Sequence, residues 1–175
     1  MTTSDLIRWS GLAAMAAGML NVLGSIFEPL PWLDILLAVV TVFALIGIYA
    51  VQAEASGRLG FAGYVVATAG YVVMAGSQIM IGSVPSYLVA ASLGGVGLVL
   101  LALGSLSARV FPRWVPGTWM AAVVIGLPSL LEPSLAQLLG ILGAAAVGLG
   151  LAGAGYVLWS SGATLPAARP GAAPS

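Results

Sequence analysis

Six apolar stretches follow one another along this chain and take up most of it: residues 6–27, 32–51, 60–81, 86–107, 115–131 and 134–159. A helix crossing the hydrocarbon core of a bilayer needs about 20 predominantly apolar residues, and each run reaches or approaches that length. The spacing therefore predicts an all-α integral membrane protein of six transmembrane helices arranged as three tandem hairpins. With 61% hydrophobic and 6% charged residues, the 175-residue chain has too few charges to solvate the surface of a water-soluble domain. Residues 1–160 are read as one transmembrane domain. The Ala-, Pro- and Gly-rich stretch 161–175 cannot bury an apolar face and is read as a disordered cytoplasmic tail.

The first run exceeds the apolar core of a signal peptide and is followed by Glu28-Pro29 instead of a cleavage site, so it is read as retained. Pro29 and Pro31 end one helix and open the next, because proline fits a first turn but cannot continue a helix. The polar segment from Gln52 to Arg58 is expected to be a water-exposed loop, and Gly82-Ser83-Val84-Pro85 a tight link. The fifth run is barely long enough to span, with Pro128 near its end. Glu132-Pro133 then repeats the Glu28-Pro29 punctuation.

Counting arginines sets an expected orientation, since cytoplasmic loops retain positive charge. With six spans and the N-terminus inside, Arg8, Arg58, Arg109, Arg113 and Arg169 all fall on the cytoplasmic side, and Glu28, Asp34 and Glu132 on the other. The expected location is thus the inner membrane of a bacterium with both termini in the cytoplasm. Trp9, Tyr49, Phe61, Phe111, Trp114, Trp119 and Trp159 would form the inner aromatic belt, and Phe27, Trp32 and Tyr87 the outer one.

A shift of 52 residues lays Gly11, Gly18, Gly24 and Ser25 on Gly63, Gly70, Gly76 and Ser77. A shift of 104 aligns the two Glu-Pro pairs. These matches point to parallel repeats of a two-helix unit; chance alignment of Gly- and Ala-rich helices is the alternative. Hydrophobicity inserts helices without attracting them to one another, so small residues should form the contact faces. Gly11 and Gly18 mark that face on the first run, Gly63 and Gly70 on the third, Gly94 and Gly97 on the fourth, and Gly143 and Gly150 on the sixth. The second run, dense in Leu, Val and Ile, is expected to face lipid, and the sixth to be the most enclosed.

The residue types exclude much chemistry. Formal net charge is zero and no lysine is present, so nucleic-acid binding has no electrostatic footing. The absence of Cys and His removes thiolate chemistry and the usual metal and haem ligands, and no cofactor or metal is expected. Without lysine no Schiff base can form.

What remains is a set of polar side chains within apolar runs. Tyr64, Thr68, Tyr71 and Gln78 share one face of the third run, and with Asn21 and Gln137 they could line a small polar cavity or bond neighbouring helices. Glu28, Asp34 and Glu132 could gather a cation or protons at a pore mouth, or cap helix ends. Three functions stay open. The first is a non-catalytic packing or accessory subunit, or binder of a lipid-like ligand. The second is a small-solute carrier or channel using Asn21, Tyr71, Gln78 and Glu28. The third is an enzyme acting through Glu28 or Glu132 on a lipid-soluble substrate. The partners expected are membrane lipids, with further copies of the chain or other membrane subunits possible.

Overall fold

The computed structural model describes residues 3–26, 31–76, 80–81, 84–130 and 133–161. Among these residues the α-helices are α1 (Thr3–Ile26), α2 (Pro31–Met74), α3 (Ser86–Ala108), α4 (Trp114–Gly126) and α5 (Ala136–Ser161). Two short strands, β1 (Met80–Ile81) and β2 (Val84–Pro85), pair antiparallel in the link between α2 and α3. Where the sequence predicts only a tight link, a minimal hairpin lies. Ser86 is buried at the start of α3 and its hydroxyl donates to the Gly76 carbonyl at 2.8 Å, tying α3 to the turn that follows α2. The tail 162–175, together with Phe27, Glu28, Pro29, Ser77, Gln78 and Glu132, lies outside the described residues.

Among the described residues four helices are long and apolar enough to cross a membrane: Ser4–Ile26, Trp32–Met74, Ser86–Ala108 and Ala136–Ser160. The chain is a polytopic helical membrane protein. Its 44-residue α2 is not one rod, because Gly57 breaks it with φ 59° and ψ −153°, a conformation open in practice only to glycine. The arms 31–56 and 58–74 fold back on each other, bringing Tyr49 of the first against Phe61 and Tyr64 of the second. This corrects the expected loop from Gln52 to Arg58. The segment is helical up to and beyond Gly57; Glu54, Gly57 and Arg58 are exposed, while Gln52 and Ser56 are buried. A helix satisfies its own backbone, so a chain reversal there needs one unusual residue in place of a polar loop.

The small-residue faces pack as antiparallel seams. Along the broadest, between the second arm of α2 and α3, Gly60 meets Gly104, Gly63 meets Leu101, Ala67 meets Gly97, and Gly70 meets Gly94 and Ala90. A Cβ on Gly104 would lie 2.6 Å from the Gly60 Cα, so the backbones touch and no side chain larger than hydrogen fits. A second seam joins α1 to α5: a Cβ on Gly11 would sit 2.8 Å from the Gly155 carbonyl oxygen, and one on Gly148 2.6 Å from that of Gly18. Such approach maximises dispersion contact and weak Cα–H···O bonding, the attractions that work in lipid. Gly11 and Gly18 thus do against α5 what the corresponding Gly63 and Gly70 do against α3.

Three further expectations are corrected. The first arm of α2 is not simply lipid-facing: Leu37, Thr41, Leu45 and Ile48 form a fully packed stripe, and only its far side, including Ile35, Leu36 and Val39, is exposed. In α5, where the sequence predicts the most enclosed span, a smaller share of the apolar stretch is buried than in the other three long helices; small side chains there flank the α1 seam on one side, while Leu138, Leu142 and Leu149 point outward. The fifth run yields only the 13-residue α4 followed by a 3-10 turn, Leu127–Leu130, that contains Pro128. At 1.5 Å per residue that helix is roughly 20 Å long, short of the roughly 30 Å hydrocarbon core.

Arg58 beside the Gly57 turn, Arg109 after α3 and Arg113 before α4 lie at the same end of the bundle, as the antiparallel seams require. Arg8 joins them, its guanidinium 4.7 Å from the ring centre of Trp159. Trp9, Phe61, Trp114 and Trp159 are exposed near this end, whereas Phe111 and Trp119, expected in the same belt, are core residues. Trp119 packs under Gly150, whose missing side chain makes room for the indole.

Candidate functional site

Between the second arm of α2, α3, α4 and α5 the seams part and leave a cavity of ≈ 440 Å³. Its inner wall is made by Gly70, Tyr71, Ala90, Leu98 and Ala122, which are buried; Ala91, Ser92, Val96 and Leu127 at its rim are exposed. Glycines widen the cavity. A Cβ on Gly94 or Gly126 would meet nothing within 4 Å, and one on Gly95 would find only Val123, at 3.7 Å. Gly94 therefore has two roles: its backbone seats Gly70, and the space beside it belongs to the cavity.

Polar groups on this wall are few. Asn21 of α1 and Tyr71 of α2 lie side by side on it, and Ser92 stands on the α3 side. The Asn21 Nδ2 donor is buried and has no hydrogen-bond partner among the described residues. Among the described residues no charged side chain lines the cavity. Carboxamide, phenol and hydroxyl can donate and accept hydrogen bonds to a neutral group; they offer no countercharge to an ion.

The other polar residues of α2 lie elsewhere. Tyr64 stacks on Tyr49, with ring centroids 4.9 Å apart, and Thr68 is turned into the protein with its Oγ1 unpartnered. Neither forms part of the cavity wall, and Gln137 is exposed on α5 away from it. Gln78, Glu28 and Glu132 lie outside the described residues. Asp34 occupies the first turn of α2, where free backbone N–H groups and the helix dipole favour a carboxylate. Of the helix-packing glycines, Gly11, Gly18, Gly63, Gly70 and Gly97 sit at backbone contacts. Gly150 accommodates Trp119 and Thr118, and Gly143 borders the cavity 3.5 Å from the Ala122 carbonyl oxygen.

Sequence reasoning missed two things. One is the α4 contribution to the cavity, since Ala122, Val123 and Gly126 carry no polar signal. The other is a second set of buried polar atoms nearer the Gly57 end, where Gln52, at 1% exposure, has both carboxamide atoms unpartnered, and Ser10 and Ser56 hydroxyls are also unpartnered. Gln52 was legible only as part of a polar stretch, which is why it was expected in water.

The class these features define is a helical polytopic membrane protein with a largely apolar side cavity. No protein-family model matches the chain, and no curated protein or solved structure does either.

Proposed function

We propose that this chain is a non-catalytic membrane protein that holds a lipid-like ligand in the α2–α5 cavity. The observation that carries the reading is the wall itself: a space of ≈ 440 Å³, within the usual range for ligand sites, lined mainly by Gly, Ala, Val, Leu and Met, with a polar corner at Asn21 and Tyr71 and the Ser92 hydroxyl at its rim. Its rim residue Val96 is 56% exposed halfway along α3, at a depth where the surrounding medium is hydrocarbon. A ligand would therefore enter sideways from the bilayer. A hydrophilic solute would have to leave water for an apolar wall, which disfavours the carrier alternative.

In this reading both arms of α2 cross the membrane, α4 with its 3-10 turn completes a short fifth crossing, and the arginine-bearing end faces the cytoplasm of a bacterial cell. The test fills the space without touching a seam. Gly94→Leu and Gly126→Leu place side chains where nothing is met within 4 Å. Native mass spectrometry of protein released in mild detergent should find a retained lipid on the wild type and on Val124→Leu, an exposed control, and little on the filled variants. Equal lipid load on all four proteins would sink the proposal.

A further inference from the structure

The polar corner of the cavity also fixes the kind of head group it accepts. We infer that the ligand is a neutral amphiphile, an apolar chain bearing an uncharged hydrogen-bonding group such as an alcohol, ester or ketone, anchored at Asn21 beside Tyr71. This rests on the cavity-binding reading above and narrows it.

Three observations support the inference. Among the described residues, no arginine or carboxylate borders the cavity, so a phosphate, carboxylate or ammonium head would be desolvated without a countercharge. Tyr71 is buried beside Asn21, and both border the cavity. The Asn21 Nδ2 donor has no well-directed partner of its own, and a buried amide donor left unsatisfied is costly. A ligand oxygen supplies the missing acceptor once the carboxamide turns about its soft terminal torsion. A hydrocarbon without oxygen fills the same space and leaves that donor unpaired.

The experiment compares four probes of one chain length: oleyl alcohol, methyl oleate, octadecene and oleate. Each is titrated against the full chain in nanodiscs of zwitterionic lipid, and bound probe is counted by native mass spectrometry. The wild type should prefer oleyl alcohol and methyl oleate over octadecene by about tenfold, the equivalent of about 1.4 kcal/mol. It should bind oleate more weakly than either at a pH where the carboxylate is ionised.

Asn21→Leu should bind octadecene as well as the wild type does and lose the preference for oxygenated probes. Tyr71→Phe should reduce the preference without reversing it. Retained octadecene binding shows that the variants are folded. A wild type that binds octadecene and oleyl alcohol equally, or prefers oleate, overturns the neutral-head inference while leaving the cavity reading in place. So does an Asn21→Leu variant with its preference intact. Failure of every probe to bind the wild type overturns both.

Discussion

The rings of Tyr49 and Tyr64 stack with centroids 4.9 Å apart and planes 13° from parallel, although fifteen residues, with Gly57 among the intervening ones, separate them in the sequence. On a straight helix they would lie roughly 22 Å apart along the axis. Their contact is the signature of a helical hairpin hinged at one residue, and it places the second arm of α2 where α3 can seat its glycines.

The hinge makes the first prediction. Gly57 has open space around its Cα, so a methyl group there clashes with nothing; the cost is purely conformational. Gly57→Ala should lower stability by about 1–3 kcal/mol, visible as a lower melting temperature in detergent. Gly117→Ala, equally unobstructed but within α4, should be neutral or slightly stabilising, because alanine favours helix over glycine. If the two substitutions behave alike, the turn is not what Gly57 supplies.

The α2–α3 seam makes the second. Leucine at Gly63 or Gly97 would press into the backbone of Leu101 or Ala67, which cannot move aside as a side chain can. Both variants should fail to give a monodisperse peak on size exclusion, as should Gly18→Leu at the α1–α5 seam. Val39→Leu, on a residue 62% exposed, should match the wild type. Normal elution of Gly63→Leu and Gly97→Leu would mean the seam is not the contact that holds these helices.

Gln52 gives a prediction of opposite sign. Its carboxamide is buried at 1% exposure with neither atom bonded, so the side chain carries a desolvation penalty with no return. Gln52→Leu should raise stability by roughly 1–3 kcal/mol in thermal or denaturant unfolding. A loss of stability instead would show that the carboxamide is held by bound water in the folded protein.

At the arginine-rich end, Arg8 lies over the Trp159 ring and links the start of α1 to the end of α5. A double-mutant cycle with Arg8→Gln and Trp159→Leu should give a coupling of about 0.5–1 kcal/mol, since both groups are exposed. Strict additivity of the two single changes would remove this contact from the fold.

Much of the architecture was readable because its causes are local. Gly11, Gly18, Gly63 and Gly70 could be placed on contact faces from spacing alone, since the helical period is a property of each segment by itself. What each face meets was not readable: Gly18 lies on Gly148 and Gly70 on Gly94, although the two glycines share a position in the aligned segments. Asn21 and Tyr71 were recognisable as polar groups in apolar runs, and both border the cavity. Most of the cavity wall, however, is glycine, alanine and valine, residue types that mark a void no differently from a packed core.

Composition by itself settled the solvent. A chain this apolar and this poor in charge belongs in a bilayer, and its long runs must be helical there because only a helix bonds its own backbone within one segment. Tertiary structure decided which side of each helix faces inward, that the chain reverses at Gly57, and that Gln52 is buried while Val39 is not. The physical reason is that hydrocarbon and protein interior are nearly equivalent surroundings for an apolar side chain, so hydrophobicity orients no face. Close backbone packing and a few hydrogen bonds do so, and these arise only when two segments meet.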